Sequence, residues 1–174
     1  TGYGIISGDP DARIVTVPNT LRRVTWKKNN VAQVLVEMVS KEGAISPLSS
    51  RQILNTTWER LQGCGLHPVV ACELEFYLFD KREKPSDPPT IPSRDLKAQN
   101  YDLEVLDRNK DFLHDVQVAS STLGLPTDAI LAEFGPGQFE INFKHTRNIL
   151  DAADTAVFFK RLVRNIAEDH GKEA

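Results

Sequence analysis

Three stretches of this chain carry acids on apolar backbone. Over residues 69–79 alternate side chains face opposite ways, so Val70, Cys72, Leu74, Phe76 and Leu78 line one face. The other face holds Val69, Ala71, Glu73, Glu75, Tyr77 and Phe79. Both are apolar apart from the two glutamates, the pattern of a strand covered on both sides. Over residues 129–134, Glu133 shares a face with Ala129 and Leu131, while Ile130, Ala132 and Phe134 form the other. Beyond Gly135-Pro136-Gly137, the residues Gln138, Glu140, Asn142 and Lys144 make a polar face, with Phe139, Ile141 and Phe143 turned to a core. Two charges ~4 Å apart repel by roughly 4 kcal/mol at an effective dielectric of 20. If Glu73, Glu75, Glu133 and Glu140 converge, three such contacts would cost about 12 kcal/mol, comparable with the whole stability of a domain. A cluster of that kind must protonate or hold cations. Hard divalent ions, Mg2+ or Mn2+, suit carboxylate sites, and Mg2+ leaves positions open for water and phosphate oxygens. The residues alone point to a divalent-metal site able to handle a phosphorylated substrate. The competing readings are an acidic face on an edge strand for Glu73 and Glu75, and a chance pairing across the turn for Glu133 and Glu140.

The elements that must position these acids are legible in the pattern. Residues 12–18 and 31–39 read as strands, the second with Glu37 near its end. Around Gly43 the character changes, and Ser49-Ser50-Arg51-Gln52 opens a helix with Leu54, Trp58 and Leu61 on one stripe, stopping near Gly63 or Gly65. A long strand over 67–80 follows, then an exposed loop over 81–100 that holds Pro85, Pro88, Pro89 and Pro92. A helix is expected over 110–123, then strands over 129–134 and 138–144 joined by the Gly-Pro-Gly turn. The last helix, 149–170, carries Ile149, Ala153, Ala156, Phe159, Val163 and Ile166 at helical spacing and ends before Gly171.

The remaining chemistry is thin. The chain has no GxxxxGK[ST], GxGxxG or HExxH motif, and His67, His114, His145 and His170 are scattered. His114 and His145 read as ordinary histidines, and Lys160, Arg161 and Arg164 as a solvated helix face. With 21 basic and 24 acidic side chains, the net charge of -3 gives no footing for a nucleic-acid partner. No apolar run approaches the ~20 residues of a membrane span. Cys64 and Cys72 form neither a CxxC pair nor a disulfide framework, which favours a reducing, cytoplasmic setting.

The run from Cys72 to Asp80, CELEFYLFD, followed by EFGPGQFEIN from Glu133 to Asn142, resembles the glutamine synthetase family, within it the γ-glutamylputrescine synthetase branch. Residues 142–170 and the Val17-Pro18-Asn19-Thr20-Leu21 stretch ending at Trp26 are similar to that branch too. The resemblance implies an α+β fold: over 1–45 the end of a β-grasp-like N-terminal domain, over 46–174 the first part of a catalytic αβ barrel with mainly antiparallel sheet. It implies an ATP-dependent ligase that activates glutamate by γ-phosphorylation and joins it to an amine, using two divalent cations, Mg2+ or Mn2+. The amine is putrescine or a similar polyamine, with ammonia the alternative, and a catalytically silent structural relative the alternative of another class. Glu75, Glu133 and Glu140 correspond to ligands of one metal, and Glu73 to a ligand of the second, which bridges the ATP phosphates. Asp128 falls where the family has an acid near the nucleotide, and Phe143, Lys144 and His145 where that pocket is lined. Tyr101 matches a tyrosine near the glutamate and amine site, and Asp9 an acidic loop offered by a neighbouring subunit of a ring-shaped homo-oligomer. Ser49-Ser50-Arg51 departs from the Asp-Pro-Arg of many relatives. Relatives continue past the last helix into a strand with Lys-Pro and then further ligands, so this stretch alone is expected to lack ligase activity.

Overall fold

The structure, a computed structural model, describes residues 13–40, 42–91 and 100–174. Asp9 lies outside the described residues. Four short strands come first: β1 (Arg13–Thr16), β2 (Arg22–Val24), β3 (Val31–Gln33) and β4 (Val36–Val39). β1 pairs with β4 and β2 with β3, both antiparallel. The single strand expected over 31–39 is therefore two. The chain changes partner at Val34–Leu35, where the Leu35 carbonyl accepts from the Val17 N–H and its own N–H donates to Thr20 Oγ1.

Helix α1 (Ser50–Gly63) starts where the sequence places it, with Ser49 Oγ accepting from the Gln52 N–H at 3.3 Å. That bond satisfies one of the orphan donors of the first turn. The long strand expected over 67–80 is shorter and broken. Only β5 (Glu73–Tyr77) and β6 (Phe79–Asp80) form, with an isolated bridge from Val70 to Thr146. The break falls at buried Leu78, whose N–H leaves the ladder to reach the Gly137 carbonyl. β6 instead pairs with β9 (Lys172–Glu173), a strand that two residues of sequence do not signal.

Helix α2 (Leu103–Arg108) was not expected, although Asp102 caps it through the Glu104 N–H and that acid ahead of Leu103, Val105 and Leu106 is the available signal. Helix α3 (Lys110–Thr122) follows directly. β7 (Thr127–Ala132) and β8 (Gln138–Phe143) complete a three-stranded antiparallel sheet in the order β5-β8-β7. Helix α4 (Ile149–Asp169) is capped by Asn148, and Gly171 follows with φ +65°.

One face of the sheet, with Phe139, Ile141 and Phe143 on β8 and Ala132 on β7, packs on Phe112 and Val116 of α3 and Phe159, Leu162 and Val163 of α4. Each of these Phe, Ile, Leu and Val side chains stabilises by roughly 1.5–3 kcal/mol relative to exposure. Val24 and Trp26 join the same buried cluster. Arg22 lies over the Phe158 ring and Arg161 over the Trp26 ring, so two cations clasp the first strands to α4. Lys160 and Arg164 are exposed.

Between β7 and β8 the Gln138 N–H donates to the Gly135 carbonyl at 2.8 Å, closing a turn with Pro136 and Gly137 at its centre. Gly137 has φ +76°, the requirement of the third position of a type II turn. A Cβ there would also stand 3.0 Å from the Leu78 carbonyl oxygen. Gly137→Ala should therefore destabilise by about 1–2 kcal/mol, the left-handed backbone penalty. A urea midpoint equal to that of the parent would contradict this.

Candidate active site on the open face of the sheet

The second face of the sheet is the one that holds the acids, and the register decides how they meet. Glu75 pairs with Glu140, which pairs in turn with Leu131. Glu73 lies opposite Asn142, and Tyr77 opposite Gln138. The N–H of Glu133 donates to the Gln138 carbonyl, carrying the β7 register one step past its last ladder residue. Glu133 and Phe134 are thus in the turn and not in the strand that the sequence suggests over 129–134. Glu73, Glu75, Glu133 and Glu140 therefore share one face, with Glu140 at the centre.

This face is open. Glu73, Glu75 and Tyr77 are exposed, and Gln138, Glu140 and Asn142 half-buried. The expectation of a strand covered on both sides is corrected: among the described residues no element packs over the glutamates. Water screens exposed carboxylates, so the repulsion falls well below the ~12 kcal/mol that close, shielded contacts would impose. It survives at Glu140. Burial first holds that carboxyl above its ordinary range, then a hydrogen bond shared with Glu133 and the charges of Glu133, Glu73 and Glu75. The other three acids thus all act on Glu140.

Two amides organise the cluster. Gln138 Nε2 donates to Glu75 Oε2, while its Oε1 accepts from the Gly135 N–H at 2.8 Å and from Tyr77 Oη at 3.3 Å. The turn therefore orients Gln138, and Gln138 orients Glu75. Asn142 Oδ1, on the strand position facing Glu73, is buried with no hydrogen-bond partner among the described residues. Sequence reasoning placed both on the polar face but gave neither a role.

The donor chemistry suits a hard divalent cation: four carboxyl groups, of which Glu140 is held above its ordinary range by burial and by the other three, and an amide oxygen in want of a positive partner. As the side chains stand, no three His, Cys, Asp or Glu groups among the described residues are gathered closely enough to hold an ion. The fit is one of donor type, charge and face.

The other expected residues are more dispersed. Asp128 is exposed within the β7 irregularity between Thr127 and Ile130. Phe143 turns into the core, edge-on to Phe159 at 5.2 Å, and its N–H donates to the Cys72 carbonyl, so its ring does not face a nucleotide pocket. Lys144 and His145 are exposed past the end of β8. Tyr101 is exposed, has φ +63°, and donates its N–H to the Ala132 carbonyl at 2.8 Å, which sets it beside Glu133. His114 is exposed.

A sheet whose open face carries acids from two strands and a Gly-Pro-Gly turn, backed by two helices, defines a carboxylate-lined antiparallel scaffold. Residues 47–174 match the family described as glutamine synthetase, catalytic domain, and the chain belongs to that family. It is 38% identical over 179 residues to gamma-glutamylputrescine synthetase PuuA of Escherichia coli, covering 99% of this chain and 38% of that protein. It is 33% identical to a glutamine synthetase of Pyrococcus horikoshii, covering 94% of this chain and 35% of the relative. A glutamate–isopropylamine ligase of a Pseudomonas species is 30% identical, with 97% and 37% covered. The solved structure of a GmaS–ADP complex superposes with a TM-score of 0.77 at 27% identity, covering 95% of this chain and 37% of that one. The chain thus spans less than two fifths of the length of these relatives. Among the described residues no helix is long and apolar enough to cross a membrane.

Proposed function

We propose that this chain forms the first part of the catalytic site of an ATP-dependent ligase that joins the γ-carboxyl of glutamate to an amine, putrescine or a similar polyamine, through a γ-glutamyl phosphate. The observation that carries this reading is the common face of Glu73, Glu75, Glu133 and Glu140, where burial first and then the other three acids hold the Glu140 carboxyl above its ordinary range. Glu75, Glu133 and Glu140 would hold one divalent cation near the amine chemistry, and Glu73 a second near the ATP phosphates. When bound, such cations neutralise charge on a transferring phosphoryl group. The chain's own part is orientation and proton accounting. Gln138 braces Glu75 from the turn, as outer partners of metal ligands do. A cation bound there would favour the ionised form of Glu140, so cation affinity should rise with pH through the raised carboxyl range. Asp128 and the 143–145 segment would border the nucleotide, and Tyr101 the glutamate and amine.

The same reading divides the chain into the end of a β-grasp-like unit over 1–45 and the first part of a barrel over 46–174. It puts the active site between subunits of a ring in the cytoplasm, with Asp9 contributed across a subunit boundary. A catalytically silent scaffold has no reason to keep four mutually repelling acids on one face.

The test compares acceptors. The complete polypeptide that carries this sequence, given glutamate, ATP and Mg2+ or Mn2+, should release phosphate at least ~10-fold faster with putrescine than with equimolar ammonia. Equal or faster turnover with ammonia would replace the polyamine reading with glutamine synthesis. No turnover with any acceptor would leave the silent scaffold.

A further inference from the structure

Exposed aromatic side chains are unevenly placed in this molecule. Among the described residues they are Tyr77 at 44% exposure, Tyr101 at 62% and Phe134 at 76%, while the other aromatic rings are buried or half-buried. The backbones of all three lie at the turn end of the sheet, beside Glu133 and Gln138. Tyr77 is the register partner of Gln138. Tyr101 is tied through its N–H to the Ala132 carbonyl, and Phe134 directly follows Glu133, with its N–H 3.4 Å from Glu133 Oε2.

Each is held by the backbone around it. Tyr77 stacks on Phe79 with centroids 5.7 Å apart, and its hydroxyl crowds Gly135 so closely that a Cβ there would stand 2.5 Å from it. Tyr101 keeps a left-handed φ of +63°, which a residue with a side chain adopts only when its surroundings enforce it. Phe134 opens a turn fixed by Pro136 and by the Gly135 N–H bond to Gln138. The described residues thus present apolar area beside an anionic cluster, and the two properties together suit one ligand chemistry: a cation that carries hydrocarbon. Ring faces attract ammonium groups, carboxylates pair with them, and apolar surface gains from each methylene that leaves water.

We infer that Tyr77, Tyr101 and Phe134 form a lip that selects an alkylammonium acceptor over ammonia, with Phe134 the principal discriminator. This rests on the ligase reading above and adds to it which residues choose the amine. Phe134 is the side chain to change, because its exposure lets it be removed without disturbing the core. In the complete polypeptide, Phe134→Ala should lower kcat/KM for n-butylamine and putrescine by about 10-fold and leave that for ammonia within about 2-fold. Phe134→Tyr should restore most of the alkylamine value. A fall that is equal for all three acceptors, or no fall, overturns the inference. Calorimetric titration with n-butylammonium and with ammonium separates this result from failure of the ligase reading. If no acceptor is ligated, that reading fails, and the lip then stands only if the parent binds n-butylammonium more tightly than ammonium and Phe134→Ala removes the difference.

Discussion

Replacing Arg51 by alanine should destabilise the protein by about 3 kcal/mol, read as a lower urea midpoint at pH 7. Arg51 leaves α1 to reach two nearly buried acids from other elements: Asp154 of α4 at 8% exposure and Glu37 of β4 at 9%. Its Nε lies 3.1 and 3.3 Å from the two Asp154 oxygens, Nη2 3.2 Å from one of them, and Nη1 3.7 Å from Glu37 Oε2. Ser49 Oγ donates to Glu37 Oε1 at 2.8 Å. Removing the guanidinium leaves two buried carboxylates without their cation, a loss of roughly 3–5 kcal/mol. The low end applies because the Arg51 side chain is itself 26% exposed and the site borders a polar cleft of about 540 Å3 that water can enter. Arg51→Lys should recover only part, since an ammonium cannot grip Asp154 with two nitrogens at once. Adding Glu37→Gln and Asp154→Asn to Arg51→Ala should recover most of the loss, because the penalty is unpaired charge and not lost volume. An Arg51→Ala midpoint within about 0.5 kcal/mol of the parent would show that the pairs contribute nothing. These contacts link the first strands, α1 and α4, so the same variant should loosen the first strands from the rest.

Glu140→Gln should have opposite effects with and without divalent ions. Without them, Glu140 holds its proton more tightly in the folded protein than in the unfolded chain. The folded state then binds more protons between the ordinary carboxyl pKa and the raised one. The contribution of Glu140 to stability is thus full below the ordinary value and lost as pH rises through the raised value. At pH 7 Glu140→Gln should be more stable than the parent by up to about 1 kcal/mol, the scale of like charges facing each other across strands. Below the ordinary carboxyl range the difference should vanish. With Mn2+ present the order should reverse, because losing a ligand weakens cation affinity by at least the roughly 10–100-fold seen for outer partners. Thermal unfolding at pH 4 and 7, with and without Mn2+, reads all of this. A destabilised metal-free Glu140→Gln at pH 7, or equal Mn2+ responses in parent and variant, would remove the carboxylate cluster as a cation site.

The parts of the fold readable in the sequence are those set by local periodicity and local capping. Helices α1, α3 and α4 begin and end within a residue or two of their expected bounds, and at α1 and α4 the reason is that Ser49, Asn148 and Gly171 act on backbone groups a few residues away. The Gly-Pro-Gly turn was equally plain, because Pro136 and Gly137 fix their own dihedrals. What failed was length and partnership. The run over 67–80 is one apolar alternation, yet the Leu78 N–H donates to the Gly137 carbonyl, and β6 turns to β9. Residues 31–39 likewise serve two partners. No sequence window contains those choices.

The site divides along the same line. Alternation assigned Glu73 and Glu75 to one face and Glu140 to a polar one, because period two is a property of a single strand. The β5-β8-β7 pairing decided that these faces coincide, that Glu140 lies between Glu75 and Glu133, and that the acids meet water and not a second layer. The Arg51 network went unread because Glu37, Arg51 and Asp154 come from three elements. Asp154 on the inner stripe of α4 was its one trace. Residue type and spacing fix which way each side chain leaves its own backbone, whereas which side chains meet depends on contacts between segments far apart in the chain, and those exist only once it has folded.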